Sequence, residues 1–143
     1  MNTINYDQLI AVTAGDPAGV GPDICLELSN HALRNKIVVL SDPSVLEERA
    51  KNLKKNIKIT EWDPKKNDNG KLSENSLFVW PHYFRSDVLC GHPNSKNSET
   101  VLSSMNSAID GCKRKIFKGM VTAPVNKAAI NQAEFQFTGH TEF

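Results

Sequence analysis

Short apolar runs that give way to turn residues and then to stripes of helical period recur along this sequence, and that alternation constrains the fold more than any other feature. Leu9 to Ala14 (LIAVTA) is almost continuously apolar and stops at Gly15, which suits a strand buried on both faces. Gly15 to Pro22 then carries three glycines and two prolines. Asp23 to Leu28 restarts a helical pattern with an acid in its first turn, where the positive end of the helix dipole favours it. Ile37 to Leu40 predicts a second strand, Ser41 or Asp42 a cap, and Pro43 the first turn of a helix whose buried stripe is Val45, Leu46, Arg49, Ala50 and Leu53. Lys51, Lys54, Lys55 and Lys58 form its solvated face.

Ile57 to Trp62 and Leu77 to Trp80 read as further strands, separated by Asp63 to Ser73, a polar stretch too weakly apolar to pack and expected as an exposed loop. The segment from Pro81 to Pro93 has no clean period. Between Asn97 and Lys115, Val101, Leu102, Met105, Ala108, Ile109 and Cys112 recur at three- and four-residue spacings and predict a long amphipathic helix, closed by Lys113, Arg114, Lys115 and Lys118 at the negative end of its dipole. Gly119 to Thr122 follows as a central strand, and Lys127 to Asn131 as a short helix. Strands alternating with helices at this spacing predict an α/β fold with a parallel-centred sheet and helices on both faces.

Composition narrows the function. The chain of 143 residues is one domain's worth and is long enough to bury roughly two thirds of its unfolded surface. Its 17 basic and 16 acidic residues give a net charge of +1, too small a field to gather nucleic acid or anionic membrane. No apolar run approaches the roughly 20 residues that span a bilayer, and Met1 to Gln8 lacks a signal pattern. Cys25, Cys90 and Cys112, odd in number and set in apolar patterns, read as reduced, buried thiols. The expectation is a soluble, cytoplasmic protein.

Chemistry concentrates at two places. Pro124, Asn126 and Lys127 stand where a strand hands over to a helix, the position at which open α/β sheets bind ligands. Thr138-Gly139-His140-Thr141-Glu142 then packs an imidazole, hydroxyls and a carboxylate into one short stretch. The Gly15 to Pro22 loop fits neither G-x-G-x-x-G nor the lysine-containing phosphate loop, and the residues alone allow either a simple tight turn or a wall facing a ligand. His31, His82 and His92 read as surface or structural histidines, and no residue pair has metal-ligand spacing. His140 alone is open to either a structural or a functional reading.

The phrases V-T-A-P-V-N-K and F-T-G-H-T-E-F, together with T-A-G-D-P-A-G-V-G-P-D near the start, resemble the signature of the 4-hydroxythreonine-4-phosphate dehydrogenase family of pyridoxal phosphate biosynthesis. The resemblance covers all of this chain and under half of a family member. It implies the isocitrate/isopropylmalate dehydrogenase-like fold in truncated form, with residues 1–143 as the N-terminal part and the metal-binding and remaining substrate-binding parts absent.

That resemblance carries further implications. The parent activity is NAD- or NADP-dependent oxidation of 4-phosphooxy-L-threonine followed by decarboxylation, in a cytoplasmic homodimer. The matching His140 and Thr141 hold the phosphorylated hydroxy-amino-acid substrate, while Lys127 and Asn126 stand near it. Asp16, Gly19 and Gly21 face the cofactor. A divalent metal (zinc, magnesium or cobalt) is bound by three histidines from later sequence, so no metal ligand is expected within this chain. Related dehydrogenases act on threonate or erythronate 4-phosphates, or on dihydrodiols. From a different class, a catalytically silent ligand-binding fragment is the alternative. Two departures from the family pattern are Glu134, where glycine is usual, and Asn97-Ser98, where Asn-Gly is common; a carboxylate residue at position 134 pays for any positive φ that glycine adopts freely.

Overall fold

A computed structural model describes residues 9–141 and 143. Five parallel strands, β1 (Ile10–Thr13), β2 (Ile37–Ser41), β3 (Lys58–Glu61), β4 (Ser76–Pro81) and β5 (Gly119–Thr122), form one sheet in the order β3-β4-β2-β1-β5. The helices are α1 (Gly21–Glu27), α2 (Pro43–Asn52), α3 (Ser98–Lys113) and α4 (Lys127–Gln132).

Strand alternation sorts the core into two layers. Leu9, Ala11, Val38, Leu40 and Phe78 point to the face covered by α3, where they meet Ala108, Trp62 and Phe117. Val39, Leu77 and Val79 point to the other face, against Cys25 and Leu26 of α1 and Leu46 and Ala50 of α2. Each fully buried Leu, Val or Phe contributes about 1.5–3 kcal/mol by leaving water, which is why these strands are apolar on both sides. A third cluster joins Val101, Leu102 and Met105 of α3 to Ile130 of α4 and to Phe137.

Local signals placed the helix starts. Asp42 is the N-cap of α2, accepting from the Ser44 amide at 2.9 Å, and Pro43 follows it in the first turn. The expected solvated lysines do lie on the outer side, apart from a half-buried Lys55 that pairs with Glu27.

Three expectations need correcting. Gly119 to Thr122 is the edge of the described sheet and not a central strand, with Val121 56% exposed beside an apolar cleft of about 450 Å³ lined by Ile10, Val12, Ile24, Leu33 and Val121. Its apolar character matches the strand β1 it pairs with and this cleft. Leu53 is 44% exposed because α2 ends at Asn52 and the chain turns away there. Cys90 is exposed, since it sits on a turn outside both core layers; Cys25 is buried and Cys112 half-buried.

Candidate functional site

The strand order reverses at β1: the first crossover leads to β2 on one side, and the chain returns on the other side as β5. The crevice beyond the carboxyl ends of β1 and β5 is therefore the topological switch point, where folds of this kind take their ligands. The segments that follow β1 and β5, at 14–20 and 123–126, begin there.

The loop after β1 is built by close backbone approach. Gly15 has φ +75°, and a Cβ there would stand 2.2 Å from the Pro124 carbonyl oxygen. That proximity lets the Asp16 amide donate to Pro124 O at 3.1 Å, while Ala123 donates to Thr13 O at 2.9 Å. The two segments are thus stitched to each other. Within the loop, the Ala18 amide donates to Asp16 Oδ1 at 2.8 Å and the Gly19 amide to Asp16 O at 3.1 Å. Gly21 is buried with its Cα against Ala14 O, so it serves packing, whereas Gly19 is half-buried and has room for a side chain, a Cβ there meeting nothing nearer than 3.5 Å. Of the three residues expected to face a cofactor, Asp16 and Gly19 are half-buried and Gly21 is fully buried in packing.

On the other wall, Asn126 caps α4 by accepting from the Ala129 amide at 2.8 Å, so its side-chain oxygen is used by the helix. Lys127 is exposed in the first turn. Beyond α4, the Phe137 amide donates to Asn131 Oδ1 at 3.2 Å and Phe137 is buried against α3 and α4. His140 and Thr141 are exposed, and the His140 ring meets Phe137 edge-on at 5.9 Å. No hydrogen bond or ion pair among the described residues joins His140, Thr141, Lys127 or Asp16 to one another. Glu142, part of the same phrase, lies outside the described residues.

Electrostatics single out Asp16. Burial raises its carboxyl above the ordinary value, and the Ala18 amide offsets only part of that. The nearby Asp23 is instead paired with Arg49 at 2.9 Å. A desolvated carboxylate with no ion pair among the described residues is a chemically useful group. Its Oδ1 is taken by Ala18, leaving Oδ2 to accept from a hydroxyl or to face a cation. Thr13 Oγ1, at the end of β1, is buried with no hydrogen-bond partner. Among the described residues no three His, Cys, Asp or Glu side chains gather as a metal site. A cavity of about 750 Å³ lies elsewhere, against α3, Trp80 and Phe135, and includes neither Asp16 nor Lys127.

Two residues that shape this loop lie outside the segments singled out from the sequence. Arg49 donates to Pro17 O at 2.6 Å and Gly19 O at 3.0 Å. Gly91 donates to Ala18 O at 2.8 Å. The signal for Arg49 was a charge on an otherwise apolar helical stripe, which demands partners; nothing local marked Gly91.

The sequence profile of a family described as pyridoxal phosphate biosynthetic protein PdxA matches residues 33–143. The chain is 40% identical over 134 residues to the 4-hydroxythreonine-4-phosphate dehydrogenase of Thioalkalivibrio sulfidiphilus, covering 94% of this chain and 40% of that protein. It is 36% identical over 140 residues to the enzyme of the same name from Ectopseudomonas mendocina, covering 98% and 42%. The chain thus spans about two fifths of the length of the curated relatives it matches. Among solved structures, the 4-hydroxythreonine-4-phosphate dehydrogenase of Klebsiella pneumoniae superposes with a TM-score of 0.82 at 24% identity, covering 94% of this chain and 42% of that one. The enzyme of that name from Burkholderia phymatum gives 0.83 at 22%, covering 96% and 42%.

Proposed function

Because the chain belongs to the PdxA family of pyridoxal phosphate biosynthetic proteins, we propose that residues 1–143 are the N-terminal part of an NAD- or NADP-dependent dehydrogenase that oxidises 4-phosphooxy-L-threonine, with decarboxylation following. The observation that carries the reading is the Asp16–Pro124 amide-to-carbonyl bond, which joins the two family-like segments at the switch point of the sheet. We place the whole protein in the cytoplasm as a homodimer; no helix among the described residues is long and apolar enough to cross a membrane.

In this reading NAD or NADP, when bound, would supply the hydride acceptor for oxidation of the substrate's secondary alcohol, and the β-keto acid product would lose carbon dioxide. Lys127, exposed at the crevice, supplies a cation for the substrate phosphate or carboxylate. His140 and Thr141 position the substrate by hydrogen bonds. Asp16 Oδ2 accepts from a cofactor hydroxyl. The Ala18 and Gly19 amides are already bonded to Asp16 and so are not free to cradle a phosphate. Among the described residues no three His, Cys, Asp or Glu side chains gather to hold a divalent ion, whether zinc, magnesium or cobalt.

The test joins this chain to the remaining sequence of the Thioalkalivibrio relative and assays the chimaera with 4-phosphooxy-L-threonine and NAD+ or NADP+. Reduced nicotinamide and carbon dioxide in equal amounts are expected. A folded chimaera that prefers threonate or erythronate 4-phosphate would move the substrate to a sister class, and one with no turnover would leave a ligand-binding role.

A further inference from the structure

We infer that Arg49 is a positioning residue: from α2 it fixes the shape of the loop at 15–20 and, through that loop, the placement of the Asp16 carboxylate. The inference rests on the reading of Asp16 as a ligand-facing group, and it concerns a residue two elements away from the ligand.

Arg49 is 6% exposed, an unusual state for a guanidinium, which is left buried only where its donors are met. One guanidinium nitrogen donates to Gly19 O at 3.0 Å and to Asp23 Oδ1 at 2.9 Å, and the other donates to Pro17 O at 2.6 Å. The planar fork therefore spans the loop, holding carbonyls on both sides of Ala18, and ties it to the first turn of α1. Asp23 balances the charge, so the cation adds little field at Asp16.

The consequence follows from which groups are left over. With Pro17 O and Gly19 O turned toward Arg49, the Ala18 amide closes on Asp16 Oδ1 and the Ala18 carbonyl takes the Gly91 amide. Ala18 is thereby held from three directions, and the Asp16 side chain has one oxygen fixed by the Ala18 amide. A loop whose six residues include two glycines and one proline has little side-chain core of its own. Without Arg49 its two carbonyls would turn to water, and Asp16 would lose the fixed rotamer that the Ala18 amide gives it.

The test is amide hydrogen exchange on the 143-residue chain, comparing wild type with Arg49→Met, which keeps bulk without donors, and Arg49→Lys, which keeps charge without the fork. Exchange at Ala18, Gly19 and Gly91 is expected to quicken at least about tenfold in Arg49→Met while Val38 and Val39 in β2 stay protected, the pattern of local opening. Arg49→Lys should fall between. Loop amides at wild-type rates in both variants, or rising only in step with Val38 and Val39, would show that Arg49 merely fills the core. Should Arg49→Met fail to fold, Arg49→Lys decides alone, and wild-type loop exchange in it overturns the inference. A parallel titration of the wild-type chain with NAD+ and NADP+ separates the two readings: unshifted Asp16 and Gly19 amides remove the cofactor wall, while the exchange result still judges Arg49.

Discussion

Gly21 sits so close to Ala14 that a Cβ on it would stand 1.8 Å from the Ala14 carbonyl oxygen. The first helix therefore docks on the end of β1 through bare backbone. Gly21→Ala is expected to cost about 1–3 kcal/mol, the range for overpacking a filled interior, whereas Gly19→Ala, whose nearest neighbour is 3.5 Å away at no positive φ, should leave stability within about 0.5 kcal/mol. Denaturant midpoints compare them. Equal losses would mean that the loop relaxes freely, and the close approach would not be a constraint.

Asp16 ties stability to pH in a known direction. Its folded pKa is raised by burial, so protonation favours the folded chain: the contribution is present at acid pH and is lost as pH rises through the folded value. Asp16→Asn keeps an oxygen for the Ala18 amide and removes the desolvated charge. The variant should melt no lower than wild type at pH 7 and should lose the advantage below the ordinary carboxylate value of 3.8. A variant markedly less stable at pH 7 would show that the carboxylate is satisfied in the fold and is not held for a ligand.

His82 works with the opposite sign. Its Nδ1 lies 3.0 Å from Trp80 O and its Nε2 2.9 Å from Ser107 Oγ. A carbonyl only accepts, so Nδ1 carries the proton and Nε2 accepts from the serine. Burial lowers its pKa below 6.5, despite the Trp80 bond that raises it. This stability is present above pH 6.5 and falls as acid protonates the ring, down to the folded value. His82→Gln should flatten the dependence of melting temperature on pH below 6.5. An unchanged slope would place the titration on another group.

How much of this was legible in the sequence depends on where each segment's partners lie. β1, β2 and α3 carry their own periodicity, and Asp42-Pro43 announces α2 because a cap and its helix are adjacent. Residues 81–93 resisted because their order comes from distant side chains: Asp42 takes the Phe84 amide at 3.1 Å, Asn97 takes the Ser86 amide at 2.9 Å, and Thr100 donates to Tyr83 O at 2.9 Å. The same reason hid Gly91. The edge position of β5 was hidden too, since apolar content reports burial of the faces and not what pairs with the strand's outer side. The joining of the Asp16 and Pro124 segments, by contrast, followed from two strand-to-helix turns on parallel strands.

Glu134 occupies φ +68°, its amide donating to Asn131 O at 3.1 Å as α4 ends. Left-handed backbone costs a residue with a Cβ roughly 1–2 kcal/mol, and glycine, which suits that position after a helix, avoids it. Glu134→Gly is expected to stabilise the chain by about 1 kcal/mol, part of the gain being returned as entropy of the unfolded glycine. Equilibrium unfolding reads this directly. A loss of stability would mean that the Glu134 side chain makes a compensating contact in solution.

His140 separates ligand work from packing. It is exposed, and its ring contact is the edge-on meeting with Phe137 at 5.9 Å; such pairs give about 0.5–1.5 kcal/mol at most, and less where water reaches the ring. His140→Ala should therefore move the melting temperature of the 143-residue chain little. In the chimaera with the relative's remaining sequence, the same change removes a hydrogen-bonding group proposed to hold the substrate. Loss of one positioned donor typically costs a factor of about 10²–10³, and kcat/KM is expected to fall by that much. The ratio of the two effects decides the role. A large fall in stability with catalysis intact would make His140 a support for Phe137, and the substrate wall of the crevice would then rest on Lys127.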